Sequence, residues 1–306
     1  MPKVTIDAIA DIRSAVHDLI RRYPRSLRYC RYADLRIEAS QGKAAVAENG
    51  MDKHSAEDYG FSFGVRVIAG EGVAAPGYFG QTLGSADLPK LSRLLRAGID
   101  HAYRRALANA QRKAGIQGRL GPLAEALYDS ALASVDVRED TVAAHYRRDP
   151  RAVPLEEVTT YVREVSQAVG GLDQKVVFNY VYGGTMLIRQ LFCSTDGANI
   201  DQSWALSEGM AYVVAQGKEG GQELYDFIGH QRGWEVVTGG VAEEYIQMPD
   251  LMTFATGLAR DTVALANARP CPATDEEVVV VTDPHYNALV CHEVVGHPTE
   301  LDRALK

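Results

Sequence analysis

The sequence predicts an α+β fold, a mostly antiparallel sheet flanked by helices. Three observations carry this reading. Strand-like runs follow one another across glycine-rich turns, amphipathic helical stretches stand apart from them, and the two kinds come in blocks rather than in strict βαβ alternation. At 306 residues the chain has room for two domains with separate cores, or one large one.

The first helix is read at Ile9, Ile12, Val16, Leu19 and Ile20, which recur at helical spacing behind Thr5 and Asp7 as capping residues. Pro24 stops it. Residues 27–38 alternate charged with aromatic and β-branched residues, and Gln41-Gly42 offers a turn into 44–47, which reads as a hairpin. Gly64–Gly70 and Gly77–Gly80 follow as a glycine-rich strand pair. With no G-x-G-x-x-G or GK[ST], these glycines are read as turn and bulge residues.

A long helix is expected from Asp87 to about Lys113, its inner face formed by Leu91, Leu95, Ile99, Ala102, Ala106 and Ala110. Such small residues imply close packing on a sheet. A short strand at Ala133–Val137 and a helix after Pro154 come next. Val176–Tyr182, a Gly183-Gly184 turn and Thr185–Cys193 read as a second hairpin. The Asp196-Gly197 turn opens a strand reaching Val214, Gly217–Gly221 marks a loop, and Gly239-Gly240 reads as a hinge. Asp250–Arg269 is helical by its apolar spacing and ended by Pro270 and Pro272. Val278–Val281 is apolar throughout and therefore expected as a buried strand. Asp283-Pro284 then signals a helix start.

Composition narrows the functional classes. The hydrophobic share of 46% and charged share of 24% are those of an ordinary globular protein, and a net charge of −8 argues against nucleic acid or anionic membrane as the main partner. Arg21, Arg22, Arg25, Arg28 and Arg31 form the one basic patch, read as a solvated face. The four cysteines lack CxxC spacing, so no disulfide framework is indicated. With no signal-peptide core and no membrane-length apolar run, a cytoplasmic location is expected.

The residues that carry chemistry lie at Cys291-His292-Glu293-Val294-Val295-Gly296-His297. Two imidazoles hold a metal ion and the carboxylate between them takes a proton from water, the donor set of a metal-dependent hydrolase. The common spacing is H-E-x-x-H, which places both rings about 40° apart around a helix. Here the histidines stand five apart, about 140° on a regular α-helix, and cannot meet on one ion. The motif therefore demands a local distortion. Either the helix breaks, helped by Gly296 and by Pro298 acting on His297, or it widens by one residue as a π-bulge. Near-continuous apolar neighbours (Ala288, Leu289, Val290, Val294, Val295) suggest a buried helix. His285 lies two turns away, about 10 Å, too far to share the ion, and Cys291 points about 100° aside and reads as a core thiol. Glu300 and Asp302 follow His297 closely enough to reach the site, either as ligands or, the reading favoured, as partners that orient imidazole N–H groups. A third ligand is expected beyond residue 306.

At this point the chain resembles the TldD/PmbA metalloproteases, the modulator of DNA gyrase family. Their signature H-E-x-x-G-H-x-x-E-x-D is met by His292, Glu293, Gly296, His297, Glu300 and Asp302. Tyr32–Glu38, Gly64–Val67 with Gly77–Gly80, and Ser194–Gly197 are similar to family strands and turns. The resemblance implies an N-terminal α/β domain, here 1–240, followed by the start of a β-rich C-terminal catalytic domain, here 241–306 and incomplete.

It further implies Zn2+ held by His292, His297 and a cysteine far downstream, with Glu293 as general base. The implied partners are a second TldD/PmbA-type subunit and a peptide or unfolded polypeptide substrate. The 306-residue chain by itself is then expected to be inactive. The rival readings are a non-catalytic peptide-binding or partner-docking module, and a metal-dependent hydrolase of non-peptide amides.

Overall fold

The computed structural model describes residues 6–121, 136–218 and 220–300. A seven-stranded sheet organises them, ordered β3-β2-β1-β5-β6-β4, with β7 also paired to β6. The strands are β1 (Cys30–Glu48), β2 (Met51–Ala69), β3 (Ala75–Thr82), β4 (Glu139–Val142), β5 (Val176–Ser194), β6 (Asn199–Gln216) and β7 (Gly221–His230). All pair antiparallel except β4, which runs parallel to β6. The chain is thus α+β with a mostly antiparallel sheet.

Side chains alternate across these strands with a period of two, and one face is apolar. Leu35, Ile37, Phe63, Val65, Val67, Val181, Leu191, Ala211 and Val213 are all buried on it. Among the described residues four helices cover that face: α1 (Ala8–Arg22), α2 (Leu91–Leu120), α3 (Leu155–Gly170) and, after a short α4 (Glu235–Gly239), α5 (Leu251–Asn267). One core lies under α1 and α2 and a second under α3 and α5, the latter built around Trp234. The expected inner face of α2 is fully confirmed, with Leu91, Leu95, Ile99, Ala102, Ala106 and Ala110 at most 5% exposed. Its small residues let β3 approach so closely that a Cβ on Gly77 would stand 2.1 Å from the Ala102 carbonyl oxygen.

Several sequence expectations are overturned. Residues 30–48 form one 19-residue strand with no turn at Gln41-Gly42. Instead the chain reverses at Asn49-Gly50, both at positive φ (51° and 78°), the asparagine-glycine pairing a tight hairpin favours. Gly183-Gly184 likewise sits inside the continuous β5. These glycines relieve crowding rather than turn the chain: a Cβ at Gly183 would meet Val162 at 2.8 Å, and one at Gly184 the Tyr182 hydroxyl at 2.6 Å. Asp7 makes no side-chain cap on α1, because its carboxylate faces Arg151 Nη1 at 3.2 Å. The strand expected at Ala133–Val137 falls largely outside the described residues.

Beyond residue 240 the described chain is not β-rich, holding only the two-residue pair β8 (Val241–Ala242) and β9 (Gln247–Met248). α5 packs on β6 and β7 through Leu251, Ala255 and Ala259, so the packed unit continues past residue 240 to Asn267. Val278–Val281 is not a buried strand. Its valines are 65–94% exposed, because among the described residues no neighbouring strand supplies the ladder that four consecutive apolar residues would need. No described helix is long and apolar enough to cross a membrane.

Candidate metal centre

The final helix, α6 (Pro284–Cys291), starts as the sequence indicates. Asp283 Oδ1 accepts the Tyr286 N–H at 2.7 Å, and Pro284 occupies the first turn, where its missing N–H is not needed. At His292 the hydrogen-bond ladder changes step. His292–Gly296 forms a π-turn, closed by the His297 N–H donating to the His292 carbonyl at 3.1 Å. Of the two expected distortions, widening is the one adopted. His297 stays helical (φ −63°, ψ −44°) although Pro298 follows, and Gly296 needs no positive φ.

One extra residue in the turn brings both imidazoles to the same side. His292 Nε2 and His297 Nε2 lie 3.0 Å apart, with ring planes crossing at 87°. Glu293 Oε2 lies 3.8 Å from His297 Nε2, and one ligand atom from each of His292, Glu293 and His297 falls within 4.8 Å of the others. Glu300 Oε1 stands 2.6 Å from His297 Nδ1. A carboxylate only accepts, so Nδ1 carries the proton and His297 Nε2 presents a lone pair toward His292. Two ring nitrogens facing at that distance need a proton or a cation between them. Two nitrogens on one tetrahedral zinc ion stand about 3.3 Å apart, close to what is seen. The donor set therefore fits a divalent metal.

The surroundings differ from expectation. The helix is not buried: Leu289, Val294 and Val295 are 57–65% exposed, and Cys291 is exposed rather than a core thiol. An apolar all-round sequence predicts burial, yet α6 packs mainly on its own π-turn. His285 is not part of the cluster, and Asp302 lies outside the described residues.

A mostly antiparallel sheet covered by helices on one face thus leads to a helix bearing a His–Glu–His cluster. No family model and no curated protein matches the chain. Its fold is found in solved structures. A proposed modulator of DNA gyrase from Bacteroides thetaiotaomicron shares it with a TM-score of 0.53 at 11% identity, over 84% of this chain and 50% of that one. A proposed modulator of a DNA gyrase from Thermotoga maritima gives 0.49 at 12% identity, over 88% and 50%. TldE from Thermococcus kodakarensis gives 0.46 at 11%, over 82% and 47%. The chain shares its fold with the Bacteroides thetaiotaomicron protein, and it spans about half the length of these structures.

Proposed function

We propose that this chain is the metal-bearing part of a zinc-dependent peptidase of the TldD kind. The convergence of His292 and His297 across a π-turn, with Glu293 beside them, is the observation that supports it. The two imidazoles hold the ion through Nε2, and Glu300 keeps His297 in the tautomer that binds. Glu293, with its side chain 58% exposed, takes the proton from the attacking water through Oε2 and returns it to the departing amine. A zinc ion held there would supply a Lewis acid for the scissile carbonyl and would bring the pKa of a water bound to it near 7. Peptides or unfolded polypeptide segments are the proposed substrates, a second TldD/PmbA-type subunit the proposed partner, and the cytoplasm the proposed location. The packed unit reaching Asn267 is proposed as the N-terminal domain, in place of the boundary expected at residue 240, and the residues after it as the start of the catalytic one.

The experiment is Glu293→Gln in the full-length assembly. Zinc content, read by atomic absorption, stays at the parent level, while peptide hydrolysis falls at least 100-fold, within the range of general-base removal. Undiminished hydrolysis removes Glu293 as the base. A second reading, a peptide-holding module without catalysis, is favoured by the cluster offering only two imidazoles among the described residues. Zinc-free preparations of the assembly that still bind peptide would select it.

A further inference from the structure

Three segments that stand out in the sequence, Tyr32–Glu38, Gly64–Val67 and Gly77–Gly80, lie side by side on β1, β2 and β3. Their residues alone line a recess of about 340 Å3 on the sheet face opposite the helices. Arg36, Gly64 and Gly80 form one row across it, and Asp34, Arg66 and Tyr78 the next. The space exists because two neighbouring strands carry glycine at the same level. Glycine weakens a strand, so its presence there has a cause: crowding, an unusual dihedral, or a group that comes close to the backbone. Every other glycine in β1 to β7 would place a Cβ at 3.4 Å or less from a neighbouring atom. Gly64 would meet nothing within 4 Å, and Gly80 only the Phe63 carbonyl oxygen at 3.6 Å, an ordinary contact. Neither has a positive φ. Packing and backbone geometry therefore supply no reason for these two glycines, and they face each other on the floor of the recess.

The walls are cationic and aromatic. The Arg36 guanidinium lies 5.5 Å from the centre of the Phe192 ring in its own row, and it pairs with no carboxylate among the described residues. Asp34 is the one acid lining the recess. It is buried and already taken by Arg66, whose Nε donates to its Oδ2 at 2.7 Å. Glu38, two residues beyond Arg36 on the same face, accepts from Gln190 Nε2 at 3.2 Å. Two guanidiniums against one carboxylate leave a positive charge unanswered. On the outer strand Tyr78 presents an exposed ring. The volume of about 340 Å3 falls in the range of small-molecule sites, roughly 300–1,000 Å3. A guanidinium binds carboxylate or phosphate through paired N–H groups. Bare peptide between a tyrosine ring and a free guanidinium thus matches a flat molecule with an anionic head.

We propose that this recess binds a small aromatic anion, its ring lying on Gly64 and Gly80 and its carboxylate or phosphate paired with Arg36. The proposal is independent of the metal centre. It is tested by calorimetric titration of the full chain with naphthoate, naphthyl phosphate and neutral naphthamide. One of the two anions binds with a Kd below about 1 mM, the tighter of them identifying the head group, and the amide binds at least tenfold more weakly. Arg36→Gln weakens binding of the anion at least tenfold. Gly64→Val, which suits a strand but fills the floor, does the same while unfolding at no lower denaturant concentration than the parent. No binding tighter than about 1 mM, equal binding of the amide, or parent-like binding by either variant overturns the proposal. So does a Gly64→Val chain that fails to fold, which would give that glycine a structural cause. Acetate binding as tightly as naphthoate also overturns it, since the glycine floor would then have no part.

Discussion

Glu300 holds His297 by a 2.6 Å contact to Nδ1, on the side of the ring away from the facing His292 nitrogen. That contact sets which nitrogen carries the proton, and with it whether the lone pair points into the cluster. Glu300→Ala is expected to lower zinc affinity about 10–100-fold, measured by competition with a chromophoric chelator. Unchanged affinity would mean that the π-turn alone orients the ring.

Two sheet glycines separate crowding from open space. Gly77→Ala puts a methyl 2.1 Å from the Ala102 carbonyl oxygen, backbone that cannot step aside, and should cost about 3 kcal/mol in denaturant unfolding. Gly64→Ala meets nothing within 4 Å and should be neutral or stabilising by about 0.5–1 kcal/mol, because alanine loses less chain entropy in a strand. Equal costs at both positions would contradict the close approach of α2 to β3.

Asp149 links stability to pH. Burial alone would raise its pKa, but hydrogen bonds from the Arg151 guanidinium and backbone outweigh that and hold it below the ordinary 3.8. A depressed folded-state pKa contributes stability above the unfolded value, and that stability is lost as pH falls through the folded one. Asp149→Asn should therefore destabilise by about 1 kcal/mol at pH 7, with the gap from the parent closing as pH drops below 3.8. Thermal melts across that range check it; a gap that persists in acid would assign the effect to shape rather than charge.

The cysteines should divide by burial. Desolvation pushes the Cys193 thiol up to about 12 and that of Cys30 up to about 11, whereas Cys271 and Cys291 are exposed. With iodoacetamide at pH 8, mass spectrometry should find Cys271 and Cys291 modified first, and Cys30 and Cys193 only after unfolding. Early modification of Cys193 would mean that the core under α1 and α2 opens readily.

Local signals in the sequence were reliable where a single element contains its own cause. The apolar stripe of α2, the Asp283-Pro284 start of α6 and the Asn49-Gly50 reversal each depend on residues within a turn or two of one another, although Gln41-Gly42 offers a competing turn signal nearby. The five-residue histidine spacing also held its own geometry. Since a regular α-helix separates such rings, only a broken or widened turn was open to it, and the widened one is present.

What the sequence by itself determined, then, was the α+β class, the helices with their inner faces, and the need for a distortion between His292 and His297. Only the tertiary structure decided that Gly42, Gly183 and Gly184 lie within strands: Met186 crowds the first and Val162 and Trp234 the second, all from elsewhere in the chain, while the third is crowded by the Tyr182 ring of its own strand and by Ala44 across the sheet. It also decided that Val278–Val281 and α6 stand exposed. An apolar run states a preference for burial, but burial needs a surface to meet it, and that surface is a property of the packed fold.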